Sequence, residues 1–436
     1  MKKSYTSLSI LRGSLFRVLV VCICSLIPAP RAFAQEAPPP GNGSYTLARL
    51  VDLAVGKTAL LDSQDALIEE ARLAAGQARA WPGPDLELRA GRKNEAGSAG
   101  PSYELALTQP LPLAGKPGLR GGLLDLESES RRLRRSATET LVALDVVRLA
   151  YEYASGRRKA AFVETRQKRF DLIREYISGR PFETPQRRAE SGIVQNRLKI
   201  LAAEAVRSQA GSKSSFEKLK VYIPLAPDSY PEVEVPWLSG EKVLDKKEWL
   251  ARALEKEPGL RLQRLAVAGA ELEKRLARKE ALPEPALSVS YERAKAGETE
   301  KNYALGLSLA FPSLNGNRSA ISGAGKKKLA EERLLAFEEQ KLKAEFTRAF
   351  VEYEAARQAV LQYPQAVLPG LEDQLKEAEE GFRKGQVDLL TFLELDSSAA
   401  ETYDRALDAQ AELAAALAGL LTATQDKDAA ASLGSY

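Results

Sequence analysis

The acidic side chains that could serve as general bases are scattered along this sequence. Asp426 and Asp428 lie near the carboxyl terminus, and Glu298 and Glu300 lie between two predicted strands. The sequence contains no histidine, so a general base would have to be Asp, Glu or Lys. We interpret the four acids as solvated charges of a tail and a loop. No segment has the form of a phosphate-binding loop, and the sequence therefore predicts no catalytic residues, no cofactor and no enzyme.

The first residues have the pattern of a secretory signal peptide. A basic start, an apolar run over Val18–Ile27 and a small-x-small site ending at Ala34 predict cleavage before residue 35. Both cysteines, Cys22 and Cys24, lie in this segment. The residues before Cys22 match a lipoprotein site poorly, and lipidation stays open as the alternative. The cleaved chain would have no cysteine, histidine or methionine, which predicts no disulfide and no soft metal site.

Cleavage would also change the charge balance. The sequence has 63 basic and 59 acidic residues, and the predicted signal peptide contains five of the basic residues and none of the acidic ones. The remaining chain would carry 58 basic against 59 acidic residues, a net charge of −1. This balance gives no support to nucleic-acid binding.

One composite pattern occurs twice: a helix, a proline, two alternating strands, a turn and a very long helix. The predicted strands are Asp85–Arg92 and Ser102–Gln109, then Ala286–Arg293 and Tyr303–Phe311. Pro82, Leu86 and Gly115 of the first copy correspond to Pro283, Leu287 and Gly316 of the second. The predicted segments are a signal peptide (1–34), a first repeat (35–223), a proline-rich linker (224–245), a second repeat (246–425) and a tail (426–436).

The helices that follow the strands are unusually long. The pattern predicts a helix from Leu119 to Ile177, roughly 90 Å at 1.5 Å per residue. In the second copy a helix is predicted from about 320 to 383, with kinks at Pro364 and Pro369. Apolar residues spaced three and four apart predict helices packed on helices, as in coiled coils. This periodicity does not separate a tunnel wall from a solid bundle.

The strands alternate between an apolar and a polar or small side chain. At about 8–10 residues, each is close to the length that crosses a bilayer at a tilt, and the alternation is typical of an outer-membrane barrel. The alternative is a soluble sheet whose apolar face packs on helices. The predicted lipid-facing residues are Leu86, Leu88, Tyr103, Leu105, Leu107, Leu287, Val289, Tyr291, Tyr303, Leu305, Leu307, Leu309 and Phe311.

Four strands in lipid would leave two open edges, and each unpaired backbone group there costs several kcal/mol. Other copies must then supply the missing partners. Eight strands from two copies would leave little lumen, whereas three copies give twelve strands and a pore. The predicted fold is mainly α with a small β part: duplicated helical hairpins that form an α-helical barrel, and a trimeric 12-stranded transmembrane β-barrel.

Four motifs resemble the TolC-type outer-membrane efflux family. They are a helix-to-strand junction (Ala78–Leu88), two strand-to-helix turns (Gln109–Arg120 and Phe311–Ala320) and a hairpin tip (Phe382–Glu401). Each motif is weak alone, and their order, spacing and duplication carry the resemblance over nearly all of the cleaved chain. The first turn, QPLPLAGKPGLR, favours the heavy-metal efflux subgroup slightly over drug efflux or protein secretion.

The resemblance implies a homotrimer with its barrel in the outer membrane and its helical tunnel in the periplasm. The tips would contact a periplasmic adaptor protein, which connects to an inner-membrane efflux pump. The implied function is passive conduction of substrate to the exterior. Non-conducting periplasmic scaffolds and type I protein secretion channels remain alternatives. The implied adaptor-contact residues are Ser178, Gly179, Arg180, Phe182, Lys384, Gly385, Gln386, Val387 and Asp388; the alternative is that both tips are simple interhelical turns.

The resemblance also implies a constriction after the second tip. The family often carries two acids one turn apart there, and the matching positions are Thr391 and Glu394. Threefold symmetry would bring three Glu394 carboxylates together in a ring that favours cations. The alternative is an exposed glutamate paired with a neighbouring cation.

Overall fold

The computed structural model describes residues 44–56, 59–95, 98–179, 184–223, 230–296, 298–311, 317–431 and 433. All of them belong to one unit, Asn42–Tyr436. The predicted signal peptide, the predicted tip residues Arg180 and Phe182, and Gly316 lie outside the described residues.

The long helices and the four long strands follow the predicted order, whereas the short strands Tyr45–Thr46 and Val233–Glu234 and the short helix Asp428–Ala431 were not predicted. The helices are α1 (Leu47–Gly56), α2 (Ala59–Arg79), α3 (Lys116–Ser178), α4 (Pro185–Leu219), α5 (Lys246–Lys256), α6 (Pro258–Glu280), α7 (Arg318–Leu361), α8 (Val367–Arg383), α9 (Leu389–Thr424) and α10 (Asp428–Ala431). The strands are β1 (Tyr45–Thr46), β2 (Asp85–Glu95), β3 (Ser98–Pro110), β4 (Val233–Glu234), β5 (Glu284–Ala296) and β6 (Glu298–Ala310).

The two predicted strand pairs join into one antiparallel sheet of order β2-β3-β5-β6. Directly opposite residues share a face, and one row across the sheet consists of Leu88, Leu105, Tyr291 and Tyr303. β2 has 11 residues, and the other three strands have 13 each. Glu298 and Glu300 therefore lie in β6 and not in a loop, as the sequence had suggested. Backbone pairing continues beyond the alternating segment because it needs no particular side chain.

The long helix of the first copy is continuous, whereas that of the second is interrupted. α3 runs for 63 residues. Residues 362–366 separate α7 from α8, and Pro364 lies in this break. Pro369 lies in the first turn of α8, where a proline removes no intrahelical hydrogen bond. One break thus replaces the two predicted kinks.

The main core forms where α1, α3, α5, α7 and α9 meet. One described helix, α9, is long and apolar enough to cross a membrane, but 56% of its most apolar window is buried, which is typical of a core helix. The described part of the predicted linker also packs here. The Gln410 amide bonds both backbone groups of Leu238, at 2.8 and 2.9 Å, and Leu238 is fully buried.

The tail is anchored as well. The Asp426 carboxylate accepts a hydrogen bond from the backbone N–H of Ala429, and Lys427 pairs with Glu139 of α3 at 2.6 Å. Asp426 is therefore a half-buried capping residue and not the solvated tail charge that the sequence had suggested.

Candidate functional site

The two hairpin tips lie side by side at one end of the helices. The Tyr176 hydroxyl, near the end of α3, donates a hydrogen bond to the Arg383 carbonyl at the end of α8, at 3.0 Å. The rings of Tyr176 and Phe382 are 5.7 Å apart in an edge-on arrangement. Of the predicted adaptor-contact residues, the described ones are thereby gathered at this end: Ser178, Gly179, Lys384, Gly385, Gln386, Val387 and Asp388.

The second tip is a compact turn built around a glycine. Gly385 has φ 74°, in the left-handed region that favours glycine. The backbone N–H groups of Gln386 and Val387 both donate to the Gly381 carbonyl, at 2.8 and 3.2 Å. Asp388 then caps α9 by accepting from the Thr391 N–H at 2.7 Å. This hydrogen bond to the backbone holds the pKa of Asp388 below its ordinary value.

Gly385→Ala is expected to destabilise this turn by about 1–2 kcal/mol, because a Cβ at positive φ crowds the following carbonyl oxygen. The measurement is thermal unfolding together with amide hydrogen exchange at Gln386 and Val387. The matched control is Gly419→Ala within α9, five residues before its end, where a Cβ would meet nothing within 4 Å. That change is expected to stabilise the helix slightly. Equal effects of the two substitutions would contradict this role of Gly385.

Thr391 and Glu394 are both exposed on the first turns of α9. No described residue forms an ion pair with Glu394, so the alternative of an ion-paired glutamate does not hold among the described residues. The Thr391 backbone is used by the Asp388 cap. Among the described residues, Glu394 is therefore an exposed carboxylate without an ion-pair partner, in the second turn of α9.

A buried ionic cluster lies behind the tips and was not predicted from the sequence. The Asp396 carboxylate of α9 is fully buried and accepts two hydrogen bonds from Arg166 of α3, at 2.9 and 2.6 Å. Arg197 of α4 donates a third, at 3.1 Å. Nearby, Arg169 of α3 pairs with Glu379 of α8 at 3.2 Å. The cluster joins both helical hairpins of the chain.

The sequence carried a signal for this cluster. The buried residues of α9 recur at spacings of three and four, through Phe392, Ala399 and Tyr403. Asp396 occupies the position in that stripe where an apolar residue is expected. A buried carboxylate is costly unless it is paired, so its position indicated cationic partners without identifying them.

The apolar face of the sheet is exposed. Twelve of the thirteen predicted lipid-facing residues are exposed large hydrophobic side chains, with Leu305 and Tyr303 at 76%; Tyr291 is half-buried. The polar face of β5 is less exposed, since Ser288 and Ser290 are half-buried whereas Leu287 and Val289 are exposed. No described helix covers the apolar face, contrary to the alternative of a soluble sheet packed on its own helices.

Solved structures of membrane channels share the fold of this chain. The transmembrane channel CusC superposes with a TM-score of 0.68 at 14% identity, over 92% of this chain and 97% of that chain. The outer-membrane channel OprN gives 0.68 at 16% identity, over 87% and 89%. The open state of the outer-membrane channel MtrE of Neisseria gonorrhoeae gives 0.63 at 17% identity, over 87% and 88%.

The chain has the fold of these outer-membrane channels. The predicted resemblance is thus confirmed for the fold, over nearly the whole length of each compared chain. No protein-family model and no curated protein matches the sequence. Identities of 14–17% support a shared fold but do not establish the substrate or the partners of this chain.

Proposed function

We propose that the protein is the outer-membrane channel of a tripartite efflux system. It conducts substrate passively from an inner-membrane pump and a periplasmic adaptor to the exterior. The observation that carries this proposal is the exposed apolar face of the four-stranded sheet, in a chain with the fold of outer-membrane channels. An apolar face of this size is soluble only when something apolar covers it, and lipid is the covering that the alternation favours.

Three copies close the barrel. β2 and β6 each have one edge without a partner strand in the described sheet. In a bilayer such edges are satisfied only by further strands. Pairing β6 of one copy with β2 of the next gives twelve strands in a trimer, with the polar face toward the lumen. The signal peptide, the two repeats, the linker and the tail keep their proposed boundaries.

The helices form the periplasmic tunnel, and the tips at its inner end contact the adaptor. The tight turn at Gly385 and the cap at Asp388 support this assignment, because they hold the second tip in one conformation. The substrate class to test first is heavy-metal ions. Glu292 lies on the polar face of the sheet and forms no ion pair with a described residue, which supports passage of cations.

The experiment that tests this function is single-channel recording. The purified protein is added to a planar bilayer, and steps of stable conductance are expected. A trimer that inserts but never conducts, even after both tips are truncated, would favour the non-conducting scaffold.

Glu394→Gln is expected to lower the cation-to-anion permeability ratio about fivefold. This corresponds to roughly 1 kcal/mol for a cation beside a carboxylate in water. The measurement is the reversal potential in a salt gradient. Glu394→Asp keeps the charge and should keep the ratio. Glu377→Gln, which removes another exposed acid near the tip, is the matched control, and an equal effect of Glu377→Gln would argue against a ring of Glu394 carboxylates.

A further inference from the structure

The apolar face of the sheet carries charge only at its hairpin end. Arg293 and Lys295 of β5 and Lys301 of β6 lie on this face, and Arg92 lies on it in β2. All four side chains are exposed. No described carboxylate lies within ion-pair distance of any of them.

On the polar face of the same strands, cations form ion pairs with neighbouring carboxylates. Arg89 pairs with Glu87 at 2.8 Å and with Glu104 at 3.5 Å, and Lys93 pairs with Glu300 at 2.5 Å. Cations on the polar face are thus neutralised within the sheet. Those on the apolar face are left for a counter-charge from outside.

Three of the unpaired cations form a cluster. Arg293 and Lys301 are directly opposite in the β5–β6 ladder, and Lys295 lies on the same face two residues along. Like charges directly opposite each other destabilise a sheet. An anion held among the three would remove this repulsion.

The cluster begins one row beyond the tyrosines. Tyr291 and Tyr303 are opposite each other, with ring centroids 5.1 Å apart, and Arg293 and Lys301 form the next row on that face. Tyrosines mark the level of the headgroups in membrane barrels. The cations therefore lie at the depth of the headgroup phosphates, and their long side chains can extend toward them.

A neighbouring copy cannot supply the counter-charge on this face. The apolar face of the described strands contains no Asp or Glu, whichever edge is joined to the next copy. Pairing β6 with β2 of another copy would place Arg92 of that copy on the same face and would add no acid to it.

We propose that Arg293, Lys295 and Lys301 form a binding site for the phosphate-bearing headgroups of lipids in the outer leaflet. The inference rests on the proposed function, since it requires the sheet to cross a membrane with its hairpin end outward. Arg and Lys are the side chains that bind phosphate through charge-assisted hydrogen bonds. Clusters of them beside a membrane attract anionic lipid at about 1 kcal/mol per charge.

The test counts bound lipid. Diphosphoryl lipid A is titrated into the purified assembly in neutral detergent, and the bound copies are counted by native mass spectrometry. The triple variant R293Q/K295Q/K301Q is expected to bind about a hundredfold more weakly than the wild type, from three lost charges. The matched control removes three exposed cations from α7 (K326Q/K343Q/R348Q) and should bind as the wild type does.

Equal affinity of the triple variant and the wild type would overturn the lipid site. Displacement of lipid A by an equal concentration of inorganic phosphate would also overturn it, because the cluster would then hold a free anion. The conductance of the triple variant distinguishes failure of the lipid site from failure of the proposed channel function. A variant that conducts normally but has lost lipid A supports both, and a wild type that never enters a bilayer refutes the channel and the lipid site together.

Discussion

Leu307→Arg is expected to abolish insertion of the barrel. Leu307 lies midway along the apolar run of β6 and is 69% exposed. An arginine on the lipid face near the centre of a bilayer costs about 2–4 kcal/mol, and a trimer repeats this cost in every copy. The measurement is the yield of heat-resistant trimer in the membrane fraction, followed by single-channel recording.

Ser308→Arg is the matched control, because the next residue of the strand is on the polar face. The Ser308 hydroxyl bonds only weakly to the Ala286 carbonyl, at 3.5 Å. An arginine there would project into the water-filled lumen, and trimers should form at nearly wild-type yield with an altered conductance. If the two variants inserted equally well, the apolar face would not be in contact with lipid.

Asp396→Ala is expected to cost about 3–5 kcal/mol of stability. It would leave the guanidinium groups of Arg166 and Arg197 without their shared carboxylate, and the Arg166 side chain is only 3% exposed. Removing one partner of a buried ion pair has a cost of this size, since the remaining charge stays uncompensated. The measurement is denaturant unfolding of the assembled protein, with hydrogen exchange of α3 and α9 to locate the loss.

Two further variants make the result interpretable. Glu401→Ala removes an exposed acid from the same helix and should change the free energy of unfolding by less than about 0.5 kcal/mol. Replacing Arg166, Arg197 and Asp396 together by apolar residues of similar volume should recover much of the lost stability. If Asp396→Ala matched Glu401→Ala, the cluster would not stabilise the hairpins.

The strands show what a short pattern can predict. Alternation in Tyr103–Leu107 and Leu287–Val289 identified the more exposed face correctly, because side chains in a strand point to opposite faces in turn. The ends of the strands were underestimated. Glu298 and Glu300 pair through their backbones, and their side chains gave no alternation to indicate it.

The helices also include one feature that the sequence predicted and one that it did not. The length of α3 followed from uninterrupted periodicity between the turn at Gly115 and the break after Ser178. Pro369 was misread as a kink, because its effect depends on where the preceding helix ends. Only the structure shows that Pro364 ends α7 and that Pro369 falls in the first turn of α8.

The sequence by itself determined the order of the long helices and strands, the duplication and the face of each long strand that is apolar. These depend on residues close together in the chain, where periodicity and proline act locally. The tertiary structure alone decided which distant groups meet: Asp396 with Arg166 and Arg197, the two tips through Tyr176, and the unpaired cations beyond the tyrosine row. The stability of these contacts comes from burial and from charges brought together across long sequence separations. A local sequence pattern contains no information about which distant residues become neighbours.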